Sequence, residues 1–172
     1  SECPCHVDYS SEHTRAAYLL AYYPFYIEII HTELSKLPEE FLPASWNNES
    51  LTACFWGGGP CPEVVGWLAY LSEHCPNIQS VIVYIFDKYA ESWNICSEIT
   101  RSFVLPSYWD GSLEIHAIPC DLLDLDALSN PLAREAITTS NFFVMQNWLN
   151  DQPGTSTSFD NCESIIQNIM TM

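Results

Sequence analysis

The segment with the clearest chemical meaning is Gly57-Gly58-Gly59-Pro60, which directly follows the apolar run 51–56. Glycines allow the backbone to pass close beneath a ligand, and their amides, together with the start of a following helix, favour an anionic group. Three consecutive glycines are more than a plain strand-to-helix turn needs, so we expect this segment to bind a ligand. A tight turn without a ligand is the alternative interpretation.

Acidic residues end two further apolar runs. Asp87 follows the β-branched and aromatic run 81–86, and a carboxylate at such a position can accept hydrogen bonds from both hydroxyls of a ribose. Capping of the next helix is the alternative role for Asp87. Cys120 and Asp121 follow the run 113–118, where a carboxylate or its neighbouring amides can reach the edge of an adenine. A helix cap or a plain turn is the alternative there.

Side-chain amides follow the fourth apolar run, 142–145. Gln146 and Asn147 could direct their side chains into a shared site, and Trp148 could stack on a base or form a wall of the pocket. Asn and Trp at the end of a strand also cap helices and fill cores, so a purely structural role stays open.

These four groups of residues need strands to position them. The short apolar runs predict strands, and helical spacing predicts helices after the glycines, at 93–103 and at 161–172, with a helical or irregular stretch at 134–137. Strands that alternate with helices indicate right-handed crossovers, so we expect an α/β doubly wound fold with a mainly parallel sheet. Ligands bind beyond the carboxyl ends of the strands in such folds.

A helical region precedes the first predicted strand. Apolar residues recur three or four apart over 15–37, and Pro24 interrupts this run, so two helices or one kinked helix are predicted. We therefore divide the chain into an N-terminal helical extension, 1–50, and a Rossmann-like cofactor-binding core, 51–172. We also expect the extension to cover the cofactor site.

Composition excludes several classes of function. Five Lys and Arg against 22 Asp and Glu give a net charge of −17, so we expect no direct nucleic-acid binding by this chain alone. No apolar run is long enough to span a bilayer, and the N-terminus lacks the basic start and apolar core of a secretory signal. Eight dispersed cysteines favour reduced, buried thiols, and we expect a cytoplasmic protein without a membrane partner.

A short N-terminal group of soft ligands is the one candidate for a metal site. It comprises Cys3, Cys5, His6 and His13. Zinc sites usually space paired ligands by two to four residues, whereas one residue separates these cysteines and the second pair is incomplete. We therefore predict no metal here.

Taken in order, the four strand ends resemble the first four motifs of the class I S-adenosylmethionine-dependent methyltransferases. The resemblance lies in Phe55-Trp56-Gly57-Gly58-Gly59-Pro60-Cys61-Pro62-Glu63, Ile85-Phe86-Asp87, Pro119-Cys120-Asp121 and Phe143-Val144-Met145-Gln146-Asn147. It covers residues 51–151 and depends on order and spacing more than on any one motif. The family's sheet continues with further strands that this chain is too short to hold, so the chain resembles a C-terminally truncated domain.

The resemblance implies that S-adenosylmethionine is the cofactor and that a methyl group is transferred to an undetermined acceptor, a protein or a small molecule. The glycine segment would cradle the methionine part of the cofactor, Asp87 would bind the ribose, and Asp121 would contact the adenine. Asn147 would lie nearest the acceptor. The implied cofactor-binding residues are Trp56, Gly57, Gly58, Gly59, Pro60, Asp87, Lys88, Cys120, Asp121 and Gln146.

Two positions depart from the family's first motif. Phe55 stands where the family usually has an acidic residue that serves the cofactor's amino group, and Cys61 stands where it usually has a glycine. These departures favour the alternative of a non-catalytic methyltransferase-like interaction or scaffold module with a protein partner. An NAD-dependent oxidoreductase is a further alternative, but its glycine fingerprint read from Gly57 requires glycine where Pro62 stands.

Overall fold

The computed structural model describes residues 7–121 and 130–145, together with Gln167. The candidate site residues Gln146 and Asn147 lie outside this range, as do Trp148 and the cysteines at 3, 5 and 162. Apart from Gln167, the C-terminal helix predicted at 161–172 also lies outside the described residues.

Within the described residues, the chain forms a four-stranded, all-parallel sheet in the order β3-β2-β1-β4. The strands are β1 (Ser50–Trp56), β2 (Ser80–Asp87), β3 (Ser112–Pro119) and β4 (Phe142–Val144). Each begins within one residue of its predicted start, because the apolar runs that predicted the strands also fill the sheet interior. The expectation of a parallel α/β sheet is therefore confirmed.

Five α-helices flank this sheet in the described part of the chain: α1 (Glu12–Ala21), α2 (Tyr23–Lys36), α3 (Pro62–His74), α4 (Asn94–Ile99) and α5 (Pro131–Thr139). Pro24 lies in the first turn of α2, where its missing N–H costs little, so the N-terminal region forms two helices. The helix predicted at 93–103 changes character after Ile99, because a π-helical turn, Thr100–Val104, continues α4.

Helices cover both faces of the sheet, as a doubly wound fold requires. On one face, Phe55 of β1 and Ile85 of β2 share a core cluster with Trp67 of α3. On the other face, Trp56 and Phe86 pack with Ala136 of α5. Because successive side chains of a strand point to opposite faces, β1 and β2 contribute alternate residues to the two clusters.

The N-terminal extension belongs to the same core as the sheet. Ile30 and Leu34 of α2 lie in the cluster that contains Phe55. Gly66 makes this packing close, since a Cβ at this position would lie 2.2 Å from the backbone oxygen of Ile27. The extension therefore packs directly on α3, the helix that follows the glycine segment.

Two features of the described residues bear on environment. None of their helices combines the length and the apolar character that a bilayer crossing needs. Cys54, Cys61, Cys96 and Cys120 are thiols buried in the interior.

Candidate functional site

The glycine segment lies at the switch point of the sheet. The chain runs outward from β1 to β3 and then returns to place β4 on the other side of β1. Open α/β sheets bind ligands in the crevice that opens at such a reversal, beyond the carboxyl ends of the strands. Gly57 follows β1 at this point, so the sheet places the predicted ligand-binding segment at the expected position.

Two glycines of the segment adopt left-handed backbone conformations, with φ of 70° at Gly57 and 44° at Gly59. The Gly57 N–H donates to the Phe86 carbonyl at 2.7 Å, and the Cys61 N–H donates to the Gly58 carbonyl at 2.8 Å. These bonds turn the chain sharply from β1 into α3. Glycine suits this turn because residues with a Cβ rarely adopt a positive φ.

Gly58 is required for a different reason, the close approach of β2. A Cβ at Gly58 would lie 2.9 Å from Cγ2 of Ile85 and 3.4 Å from Cβ of Phe55. Both neighbours are core residues, so neither can move away freely. The three glycines therefore serve the tight turn, which was the alternative to ligand binding, and Gly57 is the exposed one of the three.

Asp87 joins the glycine turn to the end of β2. Its side chain is buried, with 8% of the residue exposed. The Gly59 N–H donates to Oδ2 of Asp87 at 2.9 Å, and the Tyr89 N–H donates to Oδ1 at 2.7 Å. The alternative role as a helix cap is wrong, because α4 begins at Asn94.

The end of β3 lies beside the end of β2. The Cys120 N–H donates to the Asp87 backbone carbonyl at 3.2 Å, and the Cys120 side chain is buried. Asp121 forms a salt bridge with Lys88, with 2.9 Å between Oδ2 and Nζ. This pairing raises the pKa of the Lys88 ammonium. The structure thus brings Gly59, Asp87, Lys88, Cys120 and Asp121 to one edge of the sheet.

Trp56 and Pro60, which flank the three glycines, are both buried. The Trp56 ring is 1% exposed and stacks on Phe86 beneath α5, so a binding role for Trp56 is left to its backbone. Pro60 is buried, and its carbonyl accepts a hydrogen bond from the Thr100 hydroxyl at 3.0 Å.

A buried polar cluster lies under the turn, formed by Glu63, Cys61, Tyr23 and Thr100. The Tyr23 and Thr100 hydroxyls are 2.6 Å apart, so the cluster links α2 to the π-helical turn. Cys61 has φ of 70°, and burial, followed by the nearby Glu63, raises the pKa of its thiol to about 12. The thiol is therefore protonated at neutral pH and is not a nucleophile.

Glu63 is the most unusual member of this cluster. It is 4% exposed, and within the part of the chain that the structure describes its Oε2 atom has no hydrogen-bond partner. Burial, and to a smaller extent the charge of Asp87, raises the pKa of the carboxyl to about 8, although a hydrogen bond from its own backbone N–H acts in the opposite direction. We did not single out Glu63, Tyr23 or Thr100 as site residues from the sequence. An acid next to the glycine turn at the head of an apolar helix was the available signal for Glu63.

Aromatic side chains cover the turn from the N-terminal side. The indole Nε1 of Trp93 would lie 3.3 Å from a Cβ placed on Gly59. Tyr9 and Tyr18 contact the same indole, with ring centroids 5.6 and 5.4 Å away. Arg15 fixes the Tyr9 segment by donating to the Tyr9 carbonyl at 2.9 Å. Two aromatic residues of the N-terminal extension thus pack on the indole that lies against Gly59.

The described residues contain no group of three or more His, Cys, Asp or Glu side chains arranged to hold a metal ion. Of the N-terminal soft ligands, the structure describes His13, in α1.

The chain was compared with models of known protein families, with characterised proteins and with solved structures. No family model, no characterised protein and no solved structure matches it. The fold and the site geometry therefore define the class of protein as a parallel α/β domain with a glycine turn and two carboxylates at its switch-point edge.

Proposed function

We propose that this chain is an S-adenosylmethionine-binding, methyltransferase-like domain that transfers a methyl group to a protein or small-molecule acceptor. One observation carries the proposal: three strand ends meet at a single edge. The Asp87 carboxylate accepts from the Gly59 N–H, and the Asp87 carbonyl accepts from the Cys120 N–H. A glycine floor, a ribose-binding acid and an adenine-binding acid must be adjacent if one nucleoside cofactor is to touch all three.

Each residue has a part in this proposal. Gly57, Gly59 and Pro60 would shape the methionine pocket, Asp87 would bind the ribose, and Asp121, with Lys88 and Cys120 beside it, would contact the adenine. Gln146 and Asn147, outside the described residues, would complete the site nearest the acceptor. The cofactor supplies an activated methyl group, so these residues chiefly hold it in line with the nucleophile, and most of the acceleration comes from positioning.

The residues present fit such a cofactor in two respects. Gly57, the first residue after β1, is exposed, so the turn presents backbone without a side chain at the switch-point edge. A buried carboxyl oxygen, Oε2 of Glu63, also lacks a protein partner next to this turn. The acidic surface favours a protein or a small molecule over a nucleic acid as acceptor.

Calorimetric titration with S-adenosylmethionine tests the proposal. We expect micromolar binding by the wild-type chain, at least tenfold weaker binding by Asp121→Ala, and unchanged binding by Asp110→Ala. Asp110 is an exposed acid in the loop before β3, so its substitution controls for the change in net charge. No binding by a folded sample would contradict the proposal, and a change in NADH fluorescence on mixing would favour an oxidoreductase instead.

A second candidate function is a non-catalytic, methyltransferase-like interaction module. The observation that favours it is that the turn is already bonded internally: Asp87 accepts from the Gly59 N–H, and Trp93 packs on Gly59. Such contacts stabilise the turn without a ligand. In this case the chain would fold normally but would neither bind the cofactor nor transfer a methyl group.

A further inference from the structure

Glu63 is a buried carboxyl that the assignments above do not use. It is the second residue of α3, directly after the glycine turn, and it is 4% exposed. Its Oε2 atom is inaccessible to solvent and has no hydrogen-bond partner among the described residues. Leaving a buried polar atom unpaired costs about 1–3 kcal/mol, so an acid at this position calls for a functional reason.

In the described ranges, 7–121 and 130–145, no ion pair joins a cation to Glu63. The titratable groups that face it or its neighbours are Tyr23 from α2, Cys61, Asp87 and Cys96. Arg101 lies close enough to influence the pKa of Cys61, but its guanidinium donates to the Ile115 carbonyl on β3. Arg15 influences the pKa of Cys96 in the same way, but its guanidinium donates to the Tyr9 and Ser10 carbonyls. The two lysines, Lys36 and Lys88, pair with Glu33 and Asp121.

The proposed cofactor brings the missing cation. Its methionine part carries an α-ammonium group, which requires hydrogen-bond acceptors when it is removed from water. Phe55 cannot provide an acceptor, since its side chain is apolar and fully buried. Asp87 is assigned to the ribose in the proposed function, and each of its oxygens already accepts from one backbone amide, that of Gly59 or Tyr89. Glu63 is thus the described carboxyl next to the turn that retains an unpaired oxygen.

We propose that Glu63 binds the α-ammonium group of the methionine part of S-adenosylmethionine, and so takes the place of the acid that is missing at position 55. This inference rests on the proposed function. It explains why a carboxyl is buried at the first turn of α3, where the remaining buried residues from Val64 to Leu71 are almost all apolar.

Ligand binding should change the protonation of Glu63. The pKa of Glu63, about 8, keeps the carboxyl protonated at pH 7 in the absence of a ligand. An ammonium group is best paired with an ionised carboxylate, so binding should drive the Glu63 proton into the buffer. A site that acted through shape alone would release no proton.

Calorimetry with S-adenosylhomocysteine, the stable demethylated form of the cofactor, tests both the binding of the α-ammonium group by Glu63 and the release of the Glu63 proton. Titrations at pH 7 in buffers of different ionisation enthalpy give the number of protons released. We expect close to one proton from the wild type and none from Glu63→Gln, with at least about tenfold weaker binding by the variant. The same compound without its α-amino group should bind the wild type at least about tenfold more weakly and release no proton.

The control is Glu73→Gln, which makes the same chemical change at an exposed position of α3. It should bind and release protons as the wild type does. The comparison of the two ligands on the wild type needs no variant, so it stands even if Glu63→Gln folds poorly. Equal affinity and equal proton release with both ligands would overturn the inference and leave the proposed function intact. No binding of either ligand by the wild type would overturn both.

Discussion

The turns that follow β2 and β3 share a sequence pattern but differ in structure. Both carry an acid at the end of a strand: Asp87 is the last residue of β2, and Asp121 stands two residues after β3. Asp87 is buried and accepts hydrogen bonds from two backbone amides. The Asp121 side chain is 39% exposed and forms an ion pair with Lys88, whose side chain is 54% exposed.

The difference follows from strand order. β2 lies between β1 and β3, so its end has a neighbouring strand end on each side. β3 is the edge strand of the described sheet, and its end has a strand neighbour on one side only. An acid after a central strand is therefore enclosed by its neighbours' backbone amides, whereas an acid at the edge remains near solvent and pairs with a side chain there.

The substitution Asp87→Ala should have the largest effect on stability. It removes two charge-assisted hydrogen bonds and leaves the Gly59 amide unpaired in a buried place, so the free energy of unfolding should fall by about 3 kcal/mol. Urea denaturation measures this change. Asp110→Ala, at an exposed acid, should change stability by less than about 0.5 kcal/mol. Similar small values for both variants would show that the two turns do not differ as described.

The pH dependence of stability should report the raised pKa of Glu63. Its pKa is raised from 4.5 to about 8 in the folded chain, so the folded state holds more protons than the unfolded state between these values. The contribution of Glu63 to the free energy of unfolding should therefore fall as pH rises from 4.5 to 8, by roughly 1 kcal/mol per pH unit.

The measurement is denaturation at pH 5.5, 6.5 and 7.5 for the wild type and Glu63→Gln. The difference between their free energies of unfolding should change with pH, because Gln does not titrate. A pH-independent difference would mean that Glu63 ionises normally. Glu40→Gln, which makes the same change at an exposed position, should leave the wild-type pH profile unaltered.

Gly58→Ala tests the packing of the glycine turn on β2. The added Cβ would lie 2.9 Å from Cγ2 of Ile85, which is fixed in the core, so stability should fall by about 1–2 kcal/mol. Thermal unfolding measures it. Gly57→Ala provides the contrast, since its cost of about 1 kcal/mol comes from a positive φ rather than from a clash. An Ala at 58 that stabilised the chain would show that β2 can move away.

Asp121→Asn should have the smallest effect on stability. The ion pair with Lys88 is largely exposed, so its loss should change the free energy of unfolding by less than about 0.5 kcal/mol. Cofactor affinity should nevertheless fall about tenfold if Asp121 contacts the adenine. A loss of stability comparable to that of Asp87→Ala would remove the contrast between the two turns.

Much of the fold could be predicted from the sequence because its signals are local. The run 81–86 predicts a strand, and β2 spans Ser80–Asp87. Pro24 predicts a break in the N-terminal helix, and α2 begins one residue earlier. The π-helical turn after Ile99 was not predicted. Its first residue, Thr100, forms hydrogen bonds with Pro60 and Tyr23, which are distant along the chain, so no local signal marks it.

The candidate site was predictable only in part. Glycines and acids after apolar runs locate Gly57, Asp87 and Asp121 at strand ends, since parallel strands gather their carboxyl ends at one edge. The hydrogen bond from the Gly59 amide to Asp87 could not be predicted, because the two residues are 28 positions apart along the chain. Tyr23 was equally hidden, because it reaches Thr100 from a helix 77 residues away along the chain.

The sequence by itself determined the alternation of strands and helices, the glycine turn and the acids at the strand ends, because side-chain size, polarity and backbone freedom act within a few residues. Tertiary structure alone decided which acid is buried, which is exposed, and that Glu63 has an unpaired oxygen. These properties depend on strand order and on which distant groups exclude water, and neither is encoded in any short stretch of the chain.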